Sequence, residues 1–324
     1  MRTSHKLTRL FIALSVLVVL AASAFAAAPT NIGVSDQKAG SFLAYPYYTS
    51  LGTSDTRLTI SNTGMVSATV HMFFIGADCS QADQYVCLTA NASQSFLASE
   101  YDPSNSGYLL AVTVDGTTGF PVQNNVLIGN AFVNDGNYVG NYGAEAFWAF
   151  GAPSTNAADG QSATLNFDGV GLDFQPNQHV AEIQSPNDSV GQRIIVAGLR
   201  NSIIGNANGT LLGAAQVGIG VAYNDGEKPG SYSSPFGSGC LKSILITPSI
   251  PRVPGGLGSQ VGVNNNALIP AGRTGTLKWN TSGSVGLILT PKQGTNKWSG
   301  IRTLHKTGVA TNNTLVMPVF PPGC

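Results

Sequence analysis

Val66-Ser67-Ala68-Thr69-Val70-His71-Met72-Phe73-Phe74 is the stretch on which the fold turns. Val66, Ala68, Val70, Met72 and Phe74 recur with period two, which puts them on one face of an extended chain with a buried side. A helix would need apolar residues at three- and four-residue spacing, and the β-branched Val and Thr favour a strand. The alternation recurs on either side, in Leu58 and Ile60 before it and in Tyr108, Leu110, Val112 and Val114 after it. Asn62-Thr63-Gly64, Asp102-Pro103-Ser104-Asn105, Asp115-Gly116, Asn134-Asp135-Gly136, Asp168-Gly169 and Asn224-Asp225-Gly226 punctuate the chain with residues that reverse direction.

The later half continues this way, with strands expected at 193–199, 211–223, 241–247, 276–280, 285–290 and 314–317. Only 142–150 reads equally well as a short helix. The expected architecture is all-β, an antiparallel β-sandwich of immunoglobulin-like or jelly-roll-like type, in two sandwich domains or one elongated one. The composition agrees: 10% charged and 43% hydrophobic residues with 39 glycines describe short strands and tight turns. Abundant apolar residues exclude a disordered chain.

Thr56-Arg57-Leu58-Thr59-Ile60-Ser61-Asn62-Thr63, Val70-His71-Met72-Phe73-Phe74, Cys87-Leu88-Thr89-Ala90-Asn91 and Phe96-Leu97-Ala98-Ser99, followed by Asp102-Pro103 and Gly107-Tyr108, form a series. Over residues 41 to about 150 it resembles a group of uncharacterised secreted bacterial β-sandwich-like proteins. The resemblance implies export and a β fold, and no activity.

The N-terminus reads as a cleaved secretory signal peptide over residues 1–26. Arg2, His5, Lys6 and Arg9 precede an apolar run from Leu10 to Ala22, interrupted only by Ser15, and Ala24-Phe25-Ala26 has the small-residue cleavage pattern. The apolar run is 13 residues long, too short for a membrane anchor, which needs close to ~20. No later stretch is a membrane span, and the mature chain is expected to be secreted, extracellular or at the cell surface.

An even number of cysteines in an exported chain favours disulfides over thiols. The four are Cys79, Cys87, Cys240 and Cys324. Cys79 and Cys87 flank what reads as a hairpin loop, so they are expected to pair, leaving Cys240 for Cys324. A metal site is disfavoured because no C-x-x-C pair occurs.

Charge divides the chain. Between Leu58 and Gln192 there are 12 acids and no Lys or Arg; from Arg193 onward there are 11 basic residues and only Asp225 and Glu227 as acids. This suggests an acidic domain over 27–190 and a basic one over 191–324. The two either dock on one another or join neighbouring molecules into a self-associating layer or filament. Calcium is a further candidate, through the Asp-rich turns at Asp115, Asp135 and Asp168, although none has the spacing of a dedicated loop. Basic residues spread over 132 positions do not describe a nucleic-acid site.

No Gly-x-Ser-x-Gly elbow, H-E-x-x-H, phosphate loop or dinucleotide fingerprint is present. The expected role is non-catalytic, in adhesion, matrix or structural self-assembly. Carbohydrate binding is the first alternative, with Tyr45, Tyr47 and Tyr48 around Pro46 as an exposed aromatic strip and Trp148, Trp279 and Trp298 as further stacking faces. A secreted glycoside hydrolase, needing only two carboxylates brought together in space, is the second.

Overall fold

The computed structural model describes residues 33–204, 220–232, 240–248, 265–281, 283–292, 299–310 and 313–323. The segment expected as a signal peptide, most of the strand expected at 211–223, Trp298 and Cys324 lie outside the described residues.

The alternating stretch forms β3 (Ala68–Gly76), which pairs antiparallel with β6 (Ser106–Val114) on one side and β4 (Gln81–Leu88) on the other. β1 (Phe42–Thr49) lies beyond β6 and β9 (Glu145–Phe147) forms the edge, so the central sheet has the order β4-β3-β6-β1-β9. Val70, Met72 and Phe74 enter one core with Leu43, Tyr45 and Leu109. Phe73, Ile75, Leu110 and Val112 enter a second core on the opposite face. With both faces covered, every residue of β1 is buried.

The first face is roofed by an outer sheet, β5 (Ser93–Leu97), β2 (Asp55–Asn62), β7 (Leu127–Asp135) and β8 (Tyr138–Gly143), in that order. Leu58, Ile60, Phe96 and Val133 point inward from it. The second face is closed by β10 (Ser154–Asn156), β11 (Ser162–Phe167), β24 (Asn313–Pro318) and β15 (Asn201–Ser202), through Leu165, Phe167, Leu315 and Met317. β12 (Gln175–Pro176) and β23 (Val309–Ala310) make a two-stranded ladder.

A third core lies between two more sheets. One is β17 (Pro229–Tyr232), β16 (Gly220–Asn224), β19 (Thr274–Asn280), β13 (Gln178–Gln184) and β22 (His305–Lys306). The other is β18 (Leu241–Leu245), β14 (Arg193–Gly198), β20 (Ser284–Thr290) and β21 (Gly300–Thr303). From the second of these sheets Ile194, Val196 and Ile288 face the third core, while Ile195, Leu287 and Leu289 face the first. The fold is therefore all-β and sandwich-like, and among the described strands only β15 with β24 pairs in parallel.

The division at residue 190 does not divide the packing. β11 pairs with β24 and β13 with β19, so strands from the acidic and basic segments share sheets, and the chain from Ile32 onward is one compact unit. Hydrophobic faces are completed by whichever strand fits, without regard to distant charge. Opposite charges meet within the one chain: Arg193 lies 3.7 Å from Asp135, Arg302 lies 3.6 Å from Glu182 at the surface, and Lys306 holds the buried Glu145. Residues 142–150 are not helical; they contain the end of β8 and all of β9.

The cysteine pairing also differs from expectation. Cys79 is bonded to Cys240, with 5.3 Å between their Cα atoms, and Cys87 is bonded elsewhere, so neither Cys79–Cys87 nor Cys240–Cys324 forms. The segment after Cys79 is not a loop but strand β4, in which Cys87 sits opposite Thr69. Extended chain at about 3.3 Å per residue carries Cys87 far beyond the ~7 Å limit for bridging. The observed bridge spans 161 residues and ties the β3–β4 turn to the start of β18.

Replacing Cys79 and Cys240 together by Ser is expected to lower stability by about 3–5 kcal/mol on the chain-entropy model for so long a loop, read as a lower urea midpoint with the fold retained.

Candidate functional site

A cleft of about 520 Å³ opens between β13 and β21, within the range of small-molecule sites. Its origin lies in the path of the chain. β13 pairs with β19 along its whole length but with β22 only at His179 and Val180, so its other edge is unpaired from Ala181 onward. β21 belongs to the neighbouring sheet, and the chain steps from one sheet to the other at Leu304, whose N–H donates to the Gly286 carbonyl at 2.9 Å. Glycine is required there, since a Cβ on Gly286 would stand 2.6 Å from both the Ile195 carbonyl oxygen and Leu304 Cδ1. Where the two strands part, the gap opens.

Side chains protect the free edge of β13, as exposed strand edges require. Gln192 Oε1 accepts from the Gln184 N–H at 2.7 Å while its Nε2 donates to Thr290 Oγ1 at 3.0 Å. An Arg302 guanidinium N–H donates to the Glu182 carbonyl at 3.3 Å. The remaining wall is Thr274, Ser299 and Gly300, with Ile301, 8% exposed, as the apolar contribution; Ile183, at 0%, faces the third core behind the cleft. Hydroxyls and amides therefore dominate the lining, and the charges of Glu182 and Arg302 offset one another.

Nearby, on β13 and β22, lies a buried charged cluster. Lys306 donates to Glu145, which is only 1% exposed. Burial raises the Glu145 carboxyl above its ordinary range, and the Lys306 charge opposes that shift. His179 pairs in register with Lys306, and its Nε2 lies 2.9 Å from Ser284 Oγ, with Trp279 alongside. Burial, then the Lys306 charge, brings the imidazole pKa down to about 3.

The residues expected from the sequence fall elsewhere. Tyr45, Tyr47 and Tyr48 are 0%, 5% and 0% exposed, so the aromatic strip is core rather than a binding face. Their hydroxyls donate to the Thr59 carbonyl at 2.8 Å, to Asp135 at 2.8 Å and to Asp102 respectively. Pro46 suggested an edge strand, but it sits where the β1–β6 register shifts and beyond the three residues that β9 pairs; its missing N–H disturbs no ladder there. Trp279 is buried and Trp148 is half-exposed.

The three carboxylates considered for calcium do not converge. Asp115 accepts from the Thr117 and Thr118 N–H groups and the Thr118 hydroxyl, and these bonds, that of the Thr118 N–H foremost, lower its pKa. Asp168 accepts from the Val170 and Gly171 N–H groups, and Asp135 serves Tyr47 and Arg193. No cluster of three or more acidic, His or Cys side chains suited to a metal occurs among the described residues.

No family model and no curated protein matches this sequence. Among solved structures, Thermotoga maritima 1070 is similar at 15% identity over 35% of this chain and 97% of that one, with a TM-score of 0.27. The PBSX exported protein XepA is similar at 10% identity over 76% of this chain and 83% of that one, with a TM-score of 0.21. Neither overlap is close enough to carry a fold or a ligand across.

Two outcomes follow from the buried cluster. Lys306→Met leaves the Glu145 carboxylate unpaired and is expected to cost about 3–5 kcal/mol, with most of the loss restored in the Lys306→Met/Glu145→Gln double variant; urea unfolding of the three proteins measures this. For His179 the folded pKa lies below the unfolded value of 6.5, so the unfolded chain binds the proton first. Its contribution is intact above pH 6.5 and is lost as pH falls towards about 3, by about 4–5 kcal/mol in total. His179→Gln is expected to flatten acid unfolding in that window.

Proposed function

We propose that this chain is an exported, non-catalytic protein that binds a neutral, hydroxyl-rich ligand, a saccharide, in the cleft between β13 and β21. The observation that carries the reading is the lining. Amide and hydroxyl groups of Gln184, Thr274 and Ser299, backed by the buried Gln192 and Thr290, stand beside the apolar edge of Ile301. That combination suits a sugar, which presents hydroxyls at its rim and C–H groups on its faces. The adjacent Glu182 and Arg302, 3.6 Å apart, leave little net charge to attract an ion.

Export rests on the basic, apolar and small-residue order of residues 1–26. Binding without turnover is the reading favoured by a cleft in which, among the described residues, Glu182 is the one carboxylate of the lining, because glycoside hydrolysis by its usual route needs two. Assembly through opposite halves loses its main argument, since Asp135, Glu145 and Glu182 already meet basic partners from the later segment within the same chain.

Titration of the full mature chain with neutral gluco-, manno- and N-acetylglucosamine oligosaccharides, followed by amide chemical shifts, tests this. Shifts are expected at 182–184, 192 and 300–302, and Gln184→Ala with Arg302→Ala should weaken binding about tenfold or more. Absence of binding across the panel, or binding unchanged in the double variant, would overturn the reading.

A further inference from the structure

The segment after β24 lies across the edge of the central sheet. β24 stops at Pro318, and the Val319 N–H donates to the Gln161 carbonyl at 2.9 Å. Phe320 then meets β4, the outermost strand of the central sheet, where its carbonyl accepts from the Tyr85 hydroxyl at 2.6 Å. The same carbonyl lies against Gly119, too close to admit a Cβ there. The phenyl ring of Phe320 stands edge-on to His71, with 6.1 Å between centroids, and Tyr85 stacks on the imidazole at 4.1 Å. Segment and strand together enclose His71, whose side chain has no exposed surface.

Cys87 stands at the end of this path. Alternation along β4 puts it on the same side as Tyr85, it is exposed, and it shares a row with Thr69 and Val114. The 115–119 loop follows Val114 directly, so the contact with Gly119 brings Phe320 to the Cys87 end of β4. Cys87 is held in a disulfide, and Cys79 and Cys240 hold each other. The sequence has one further cysteine, Cys324, four residues beyond Phe320. Four residues of extended chain reach about 14 Å, whereas Tyr85 and Cys87 are about 7 Å apart along the strand, so a bridge can close without moving Phe320. Pro318, Pro321 and Pro322 have fixed φ angles, which reduces the entropy lost on ordering the segment.

We propose that residues 319–324 form a strap that covers His71 and is fastened by a Cys87–Cys324 disulfide. The bridge forms by thiol–disulfide exchange: the bond between the two Sγ atoms is made as the S–S bond of an oxidised dithiol donor breaks, and the donor's sulfurs take up the two electrons and the two thiol protons. The fastened strap keeps water from the imidazole, whose Nε2 lies 3.0 Å from the Asp83 carboxylate and whose buried Nδ1 has no partner among the described residues. Asp83 and Tyr85 from β4, Phe73 from β3, Val112 from β6 and Phe320 face His71, and of these Asp83 alone is charged. Burial lowers the imidazole pKa and outweighs the opposing bond to Asp83, so release of the strap raises it. The proposal is independent of the cleft and its ligand.

Non-reducing peptide mapping of the full mature chain, purified from an exporting host with thiols blocked at lysis, tests the linkage. The Cys87 and Cys324 peptides are expected to be joined, beside a joined Cys79–Cys240 pair. Cys87→Ser and Cys324→Ser should each leave one reactive thiol and move the His71 titration, followed by its ring proton shifts, to higher pH. Each should also speed amide exchange at Val319 and Phe320 about tenfold or more, as a fastened end becomes a fraying one. Either variant serves if the other fails to fold. Tyr85→Phe, which keeps the bridge and loses the bond to the Phe320 carbonyl, should speed the same exchange to a smaller extent. A free Cys87 thiol, Cys87 joined to a small thiol, or Cys87 joined to another copy in a dimer that reducing agent separates overturns the proposal. So does an intact link whose loss in both serine variants leaves Val319, Phe320 and His71 unchanged, the result expected of a staple that covers nothing.

Discussion

A sheet covered on both faces cannot be completed by neighbouring sequence alone, and the central sheet imposes that requirement on the rest of the chain. β1, β3 and β6 send alternate side chains into two separate cores. The outer sheet closes one face with nearby sequence. The other is closed partly by β24, from the far end of the chain, held between β11 and β15. Burial of apolar area is non-directional, so the pairing of distant segments follows from where uncovered surface remains. The Cys79–Cys240 bridge ties a further late segment, at the start of β18, to the β3–β4 turn of the central sheet.

The polar features are consequences of that closure. Once early and late strands share sheets, the acidic and basic segments interleave, and Arg193, Arg302 and Lys306 each find a carboxylate from the earlier segment. The Lys306–Glu145 pair is the most buried of the three and the most demanding, because a carboxylate removed from water is tolerated only with its partner in place. His179 next to it is held neutral by the same low-polarity surroundings.

The candidate cleft arises where a sheet ends. It exists because the chain changes sheet at Leu304, leaving half of one β13 edge without a strand. The outer sheet, by contrast, keeps its pairing and buries only its inward face.

The cleanly alternating strands were legible in the sequence, because a period of two is a local property: Val70, Met72 and Phe74 share a core as their spacing requires. β4 and β7 were not: 80–86 reads as a hairpin loop and 127–135 has no clean alternation, and it is pairing with β3 and β2 that sets their faces. Burial of Tyr45, Tyr47 and Tyr48 was not, since nothing local distinguishes a strand covered on both sides from one at an edge, and Pro46 pointed the wrong way until the register shift beside it was known. The cysteine pairing and the meaning of the charge division depended likewise on which strands become neighbours. Those choices are made by long-range burial, through contacts between residues more than 100 positions apart, and so the cleft, the Cys79–Cys240 bridge and the internal ion pairs with Glu145 and Glu182 were decided only by the tertiary structure.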